Sequence, residues 1–341
     1  MQRNYWPTTG WQKADPSVLN MNAEKLAELD SIIKSEYNNI NGIVVVKNGF
    51  IAFENYYHDC GPSDVQHVAS VTKSVLSALI GIAIYHGFIH SVDQKVLDFF
   101  PEYQPADDQP QKYEISLRHL LTMTVPYPFE AWREPLDQLS MQPDWIKYTL
   151  DRLGQNGRIG DFKYSTAGAH LLSGILTRCT GMNARAFANQ YLFEPIGMRA
   201  IPNYKMEAFG FEELFGSKIR GWVEDPQGNS TGGWGLTLTA RDMARFGFLY
   251  LNEGLWQDKR ILPQTWVSQS TTLNANHYGY LWWLGQENGL PLYMALGDGG
   301  NAIICIPGKD LLVAITSAFM PNPRDRWMLV KDYILPAILN G

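Results

Sequence analysis

The residues best placed to do chemistry lie in HVASVTKSVLSALIGIAIYHG, residues 67–87, where Ser70 and Lys73 stand three apart. If Ser70 opens a helix, Lys73 lies one turn on and on the same face, so its amine reaches the serine oxygen. A helix start also offers unused backbone N–H groups and the positive end of the helix dipole, both suited to a developing oxyanion. Together these would make an activated nucleophile, a serine with its base and a place for the charge formed on attack. The pattern is cheap, however, and the chain holds two decoys. Ser31-Ile32-Ile33-Lys34 repeats the spacing inside an amphipathic helix, where the N–H groups are already engaged. Gly228-Asn229-Ser230-Thr231-Gly232 fits the G-x-S-x-G elbow, which needs a buried strand before it and a helix after it. Here VEDPQ precedes and a glycine turn follows, so Ser31 and Ser230 both read as structural.

Ser70 has a different setting. It follows the turn-rich HDCGPSD and precedes VLSALIGIAI, a helix with so few charges that it must be buried. A lysine one turn into such a helix is costly unless paired or neutralised, and a neutral amine is what a general base requires. The residues alone leave two possibilities standing, a catalytic pair or the polar start of a core helix. The histidines add little. His86 and His90 are four apart, but Gly87 between them marks a helix end. With no carboxylate cluster at ligand spacing, neither a metal site nor another cofactor is expected. His67 and His170 read as packing or capping residues.

Periodicity outlines the helices and strands around the pair. Residues 22–37 carry Leu26, Leu29, Ile32 and Ile33 at helical spacing. INGIVVVKNGFIAFENYY then reads as two strands split by Asn48-Gly49, the strongest short hairpin signal. Near the other end, YGYLWWLGQ, LYMALGDGG, NAIICIPGKD and LLVAITSA read as four more strands, with turns at Asn288-Gly289 and Pro307-Gly308. RDRWMLVKDYILPAIL closes the chain as a helix. Helical patterns dominate residues 63–270. The expected fold class is therefore α+β: an antiparallel sheet formed from residues 1–62 and 271–341 and flanked by helices, with residues 63–270 inserted as a mainly helical domain and a cleft between the two.

Composition bounds the function. The 341 residues are 45% hydrophobic and 18% charged, enough for a sizeable core. A net charge of -6 and the lack of a basic stripe exclude a nucleic-acid partner. No run is long enough to span a membrane, and the N-terminus has no apolar core of signal-peptide length. Three scattered cysteines, Cys60, Cys179 and Cys305, make neither a disulfide framework nor a metal pair. These features lead to the expectation of a reduced, soluble, cytoplasmic protein acting on a small molecule.

At FKYSTAGAHLLSGILTRCTG the sequence resembles a known family. Tyr164-Ser165-Thr166, followed by a small-residue helix, is similar to the Y-x-N element of the serine β-lactamase and penicillin-binding protein superfamily. Ser70-Val71-Thr72-Lys73 matches its S-x-x-K motif in the expected order. LRHLLTMT, LTLTARDMARFGFLYLNEG, YGYLWWL and MALGDGGNAIICIPGKDLLVAITSA extend the resemblance over nearly the whole chain. Within the superfamily it looks closest to the class C-like branch, with family VIII carboxylesterases and 6-aminohexanoate-dimer hydrolase.

The resemblance implies a β-lactamase/transpeptidase-like fold and a serine acyl hydrolase, a carboxylesterase or amidase. Ser70 would attack an acyl carbonyl, Lys73 would take its proton, and Tyr164 would protonate the leaving group. The oxyanion would be held by the backbone N–H groups of Ser70 and Asp298, after Gly297. Thr166 and Gly297 would touch substrate. The rim segment TVPYPFEAWREP, residues 124–135, offers Tyr127 and Trp132 as pocket residues, with Trp234 a further candidate; core packing is the alternative for each ring. Two departures stand out. Thr166 replaces the asparagine, and Ala295-Leu296-Gly297 replaces the Lys/His-Thr/Ser-Gly motif, removing the cation and hydroxyl that hold a β-lactam carboxylate. Weak or no β-lactamase activity follows. A D-amino-acid peptidase and a non-catalytic, penicillin-binding-like acyl sensor are the alternative functions.

Overall fold

A computed structural model describes residues 3–106, 108–130, 132–206, 210, 212, 216 and 218–339. Ala131 of the rim segment lies outside them. Six strands make the central sheet: β1 (Ile40–Lys47), β2 (Phe50–Tyr56), β3 (Trp283–Glu287), β4 (Leu290–Gly297), β5 (Asn301–Ile306) and β6 (Leu311–Ser317). Their spatial order is β2-β1-β6-β5-β4-β3, every neighbour antiparallel. The two chain ends meet where β1 pairs with β6, Ile43 opposite Ile315 and Val45 opposite Val313.

Both Asn-Gly pairs make the tight turns expected of them. Asn48 and Gly49 take φ of 53° and 88°, and Asn288 and Gly289 take 49° and 78°, the left-handed pair a two-residue hairpin requires. One strand is shorter than its sequence suggests. YGYLWWLGQ becomes strand only at Trp283, because Leu281 turns the chain with φ 59°.

Period-two alternation divides the core into two layers. Ile43, Val45, Ile304, Val313 and Ile315 face α1 (Ala23–Glu36) and the C-terminal helical segment. Val44, Val46, Ile303, Leu312 and Ala314 face the larger helical layer. That layer includes α2 (Val71–Tyr85), α3 (Trp145–Arg152), α4 (Thr166–Thr180) and α5 (Ala240–Leu251). Although α5 falls within residues 63–270, it packs on the sheet itself. A Cβ on its Gly247 would stand 2.8 Å from Ile303 Cγ2, so glycine sets that close approach. Among the described residues no helix is long and apolar enough to cross a membrane.

Candidate active site

The site is built on the first turn of α2. Ala69 adopts φ 47°, a left-handed conformation uncommon for alanine, and the chain then enters the helix through Ser70 at φ −70°, ψ −4°. Ser70 makes no side-chain cap to the helix, which leaves its hydroxyl for other partners. Thr72 closes the turn, donating from Oγ1 to Ala69 O at 2.7 Å.

Lys73 is 1% exposed, and its burial is balanced by three hydrogen bonds from Nζ. They run to Ser70 Oγ at 3.0 Å, Thr166 Oγ1 at 3.2 Å and Gly233 O at 2.8 Å. Among the described residues no carboxylate lies within ion-pair distance of this amine. The Tyr164 ring centroid lies 4.8 Å from Nζ. The structure thus brings Ser70, Lys73, Tyr164 and Thr166 together.

Glycines let the walls close on this group. A Cβ on Gly233 would lie 3.3 Å from Lys73 Nζ and inside the Thr166 methyl, so only glycine lets that carbonyl reach the amine. The G-x-S-x-G decoy therefore has a part in the site through the glycines that follow it, while Ser230 is fully buried and accepts from Arg185 N at 3.0 Å. Behind the loop, Gly232 N donates to His170 Nδ1 at 3.3 Å, and His170 Nε2 contacts Asp225 at 3.1 Å. His67 accepts from Gly235 N at 3.0 Å, and burial draws its imidazole down to about 4. Both histidines bind backbone, as capping residues do. Ser31, on the exposed face of α1, donates to Glu28 O one turn back in its own helix.

Opposite Ser70 runs the end of β4. Strand β3 pairs with it as far as Met294, so among the described residues Ala295, Leu296 and Gly297 have no strand partner on that side. A Cβ on Gly297 would lie 3.1 Å from Ser70 N and 3.2 Å from Ala69 Cβ, which shows how closely the strand and the Ser70 turn abut. Asp298 is exposed and lines a cavity of about 350 Å³ with His67, Ala69 and Asn301. The turn after it, with Gly299 at φ 79° and Gly300 at φ 90°, rests on Arg326, a buried residue that no motif or spacing singles out. Arg326 donates to Gly300 O at 3.1 Å and Asn39 Oδ1 at 2.6 Å, and burial draws its guanidinium down to about 10.

The aromatic candidates divide. Trp132 is 68% exposed and stacks on Tyr164, centroids 5.2 Å apart, and on Trp283 at 6.1 Å. Trp283 also stacks on Tyr164 at 5.8 Å, so the three rings form the mouth of the site. Tyr127 and Trp234 do not join them. Tyr127 is 2% exposed, stacked on Phe129 beneath the rim, and Trp234 is 3% exposed, stacked on Trp145 in the helical core. For these two, core packing is what the structure supports, because each ring is enclosed by apolar neighbours before it can face the cleft. Glu134, at the end of the same rim segment, was also missed by sequence reasoning. Its carboxylate accepts from Ser165 Oγ, Thr166 N and Ala167 N at the start of α4.

Comparison with known proteins agrees with this architecture. A family model described as Beta-lactamase matches residues 34–332. The 6-aminohexanoate-dimer hydrolase of Paenarthrobacter ureafaciens is 22% identical over 368 residues, covering 96% of this chain and 86% of that relative. Two solved structures share the fold. EstCE1, a hydrolase with promiscuous acyltransferase activity, has a TM-score of 0.68 at 18% identity, with 93% of this chain and 99% of that one covered. The octameric penicillin-binding protein homologue from Pyrococcus abyssi also gives 0.68 at 18% identity, covering 92% and 78%. With most of its length matched by the family model, the chain belongs to the Beta-lactamase family.

Proposed function

We propose that this chain is an acyl hydrolase, an esterase or amidase for small neutral or amine-bearing substrates, working through an acyl-enzyme on Ser70. The observation that carries it is the setting of Lys73 Nζ, 3.0 Å from Ser70 Oγ with Thr166 Oγ1 and Gly233 O as its other neighbours. A neutral amine has two N–H groups and one lone pair. Thr166 and Gly233 accept the two N–H groups, and the lone pair is left for the Ser70 hydroxyl. Ser70 Oγ then bonds to the acyl carbon as its proton passes to Lys73. Tyr164, against the same amine, relays a proton to the departing alcohol or amine, and water releases the acyl group by the reverse route.

The backbone N–H groups of Ser70 and Asp298 hold the oxyanion. Among the described residues neither donates to another group of the chain, and the Gly297 contact brings their two segments together. Trp132, Tyr164 and Trp283 receive the apolar part of the substrate. An amide as well as an ester is in scope because one relative is named 6-aminohexanoate-dimer hydrolase, and two amino acids are joined amine to carboxyl by an amide. β-Lactams are poor substrates. Ala295 is buried and Leu296 is aliphatic, so neither offers a charge or hydroxyl to a carboxylate, and Arg326 is engaged with backbone.

The test is intact-protein mass spectrometry after a fluorophosphonate, followed by hydrolysis of a neutral p-nitrophenyl ester and of nitrocefin. One adduct on Ser70, with ester turnover abolished by Ser70→Ala and by Lys73→Ala and nitrocefin turned over far more slowly, is the expected result. An adduct elsewhere, or loss of activity in Ser230→Ala alone, overturns the assignment.

A further inference from the structure

The rim segment reaches the site through one carboxylate. Glu134 is half-buried, and its two oxygens accept three hydrogen bonds: Ser165 Oγ at 2.9 Å, Ala167 N at 2.9 Å and Thr166 N at 2.5 Å. Ser165 already caps α4 by accepting from Gly168 N at 2.9 Å. Glu134 takes the first two N–H groups of the helix, which Ser165 leaves, and in doing so links the rim to the residues on either side of Ser165. On one side stands Tyr164, and on the other Thr166, whose hydroxyl accepts from Lys73. Two residues earlier in the rim is Trp132, held at φ 64° and stacked on Tyr164. Lys163 pins the other end of the segment, donating from Nζ to Tyr127 O and Phe129 O, both at 2.9 Å.

We propose that Glu134 is a positioning residue of this site, its carboxylate tying the rim to the Tyr164-Ser165-Thr166 turn so that Thr166 meets Lys73 and Trp132 seats on Tyr164. The inference rests on the acyl-hydrolase function above. Four further groups surround the carboxylate: Lys73 from α2, which favours the ionised form whenever its amine carries the proton; Tyr127 in the rim; and Tyr148 and Arg152 from α3, which line the same small cavity. Burial, the largest influence, pushes the Glu134 carboxyl up from its ordinary range, opposed by its hydrogen bonds and by Lys73. A raised carboxyl takes up its proton at a higher pH than an exposed one, so the link loosens early on the acid side.

The experiment uses Glu134→Gln, which keeps the shape and one acceptor oxygen while removing the charge. Glu134→Asp, too short to reach the same partners, is the second variant. Wild type and variants are compared for melting temperature, kcat and KM on a p-nitrophenyl ester across pH 4–9, and near-ultraviolet circular dichroism, which reads the Trp132–Tyr164 stack without turnover. Expected for Glu134→Gln are a folded protein, roughly a tenfold or greater loss of kcat, a raised KM, an altered aromatic band, and an acid limb moved about half a unit or more to lower pH. That last change separates positioning from a merely structural role, because both the titrating group and the charge facing Lys73 are gone. Wild-type kcat, KM and acid limb in Glu134→Gln, with an unchanged aromatic band, overturn the proposal. An inactive, unlabelled wild type refutes the acyl-hydrolase function instead, and the aromatic band still decides whether Glu134 seats the rim.

Discussion

Gly297→Ala probes the approach of strand β4 to the turn that carries Ser70, the proposed nucleophile. Gly297 has ordinary extended backbone, φ −134° and ψ 150°, so alanine meets no conformational penalty and the change is purely steric. The new methyl falls inside the surface of the Val68 carbonyl oxygen and lies 3.1 Å from Ser70 N. Carbon–oxygen contacts ordinarily begin at about 3.3 Å, so strand and turn must part by roughly 1 Å. Neither can move alone, since Val68 O holds Val71 N at 3.2 Å and β4 is bonded to β5 through Gly297 and Asn301. The strain costs about 1–3 kcal/mol, which leaves a protein with a core this size folded. Catalysis suffers more, because a displacement of about 1 Å between the two N–H donors costs on the order of 10²-fold. Steady-state hydrolysis of a p-nitrophenyl ester well below the melting temperature, beside the second-order rate of fluorophosphonate labelling, measures it. Both rates should fall together, with kcat bearing most of the loss. A variant that keeps wild-type kcat refutes the idea that the Gly297–Asp298 segment holds the oxyanion.

Thr166→Val removes the acceptor that meets Lys73 Nζ at 3.2 Å while keeping the methyl beside Gly233, and should lower kcat/KM about 10- to 100-fold with a small change in melting temperature. Ser230→Ala should leave ester hydrolysis intact and cost about 1–3 kcal/mol in urea unfolding, because Arg185 N would lose its buried acceptor. For His67 the folded imidazole is held near 4 against 6.5 unfolded, so the unfolded chain takes up the proton first on acidification. Its stabilising share is complete above about 6.5 and is lost as pH falls toward 4, up to about 3 kcal/mol in all. His67→Gln should flatten that part of the stability profile measured by urea denaturation, and an unchanged slope would count against the neutral buried imidazole.

The decoys show how local pattern and tertiary setting divide the work. Ser31 and Ser70 share one spacing, and the surrounding pattern separates them. Alternating polar residues put Ser31 on the exposed face of an amphipathic helix, while the unbroken apolar run after Ser70 requires burial. The hairpins were equally legible, because Asn48-Gly49 and Asn288-Gly289 supply the two positive φ angles that such turns demand, whatever surrounds them. The meeting of both chain ends in one sheet followed from strands at the two termini and helices between.

Features with a local cause are thus legible in the chain before it folds: turn chemistry, apolar period and the one-turn reach from Ser70 to Lys73. Tertiary structure decided everything that depends on distant backbone. Gly233 enters the site because its missing side chain lets a carbonyl from 160 residues away reach Lys73, and no spacing encodes that. Glu134 and Arg326 bind main-chain atoms, which every residue has, so nothing in the sequence names their partners. The aromatics make the same point, since Trp132 stands at the mouth and Trp234 in the core. A ring carries the same apolar surface in either place, and only the packing of neighbouring elements determines which faces the cleft.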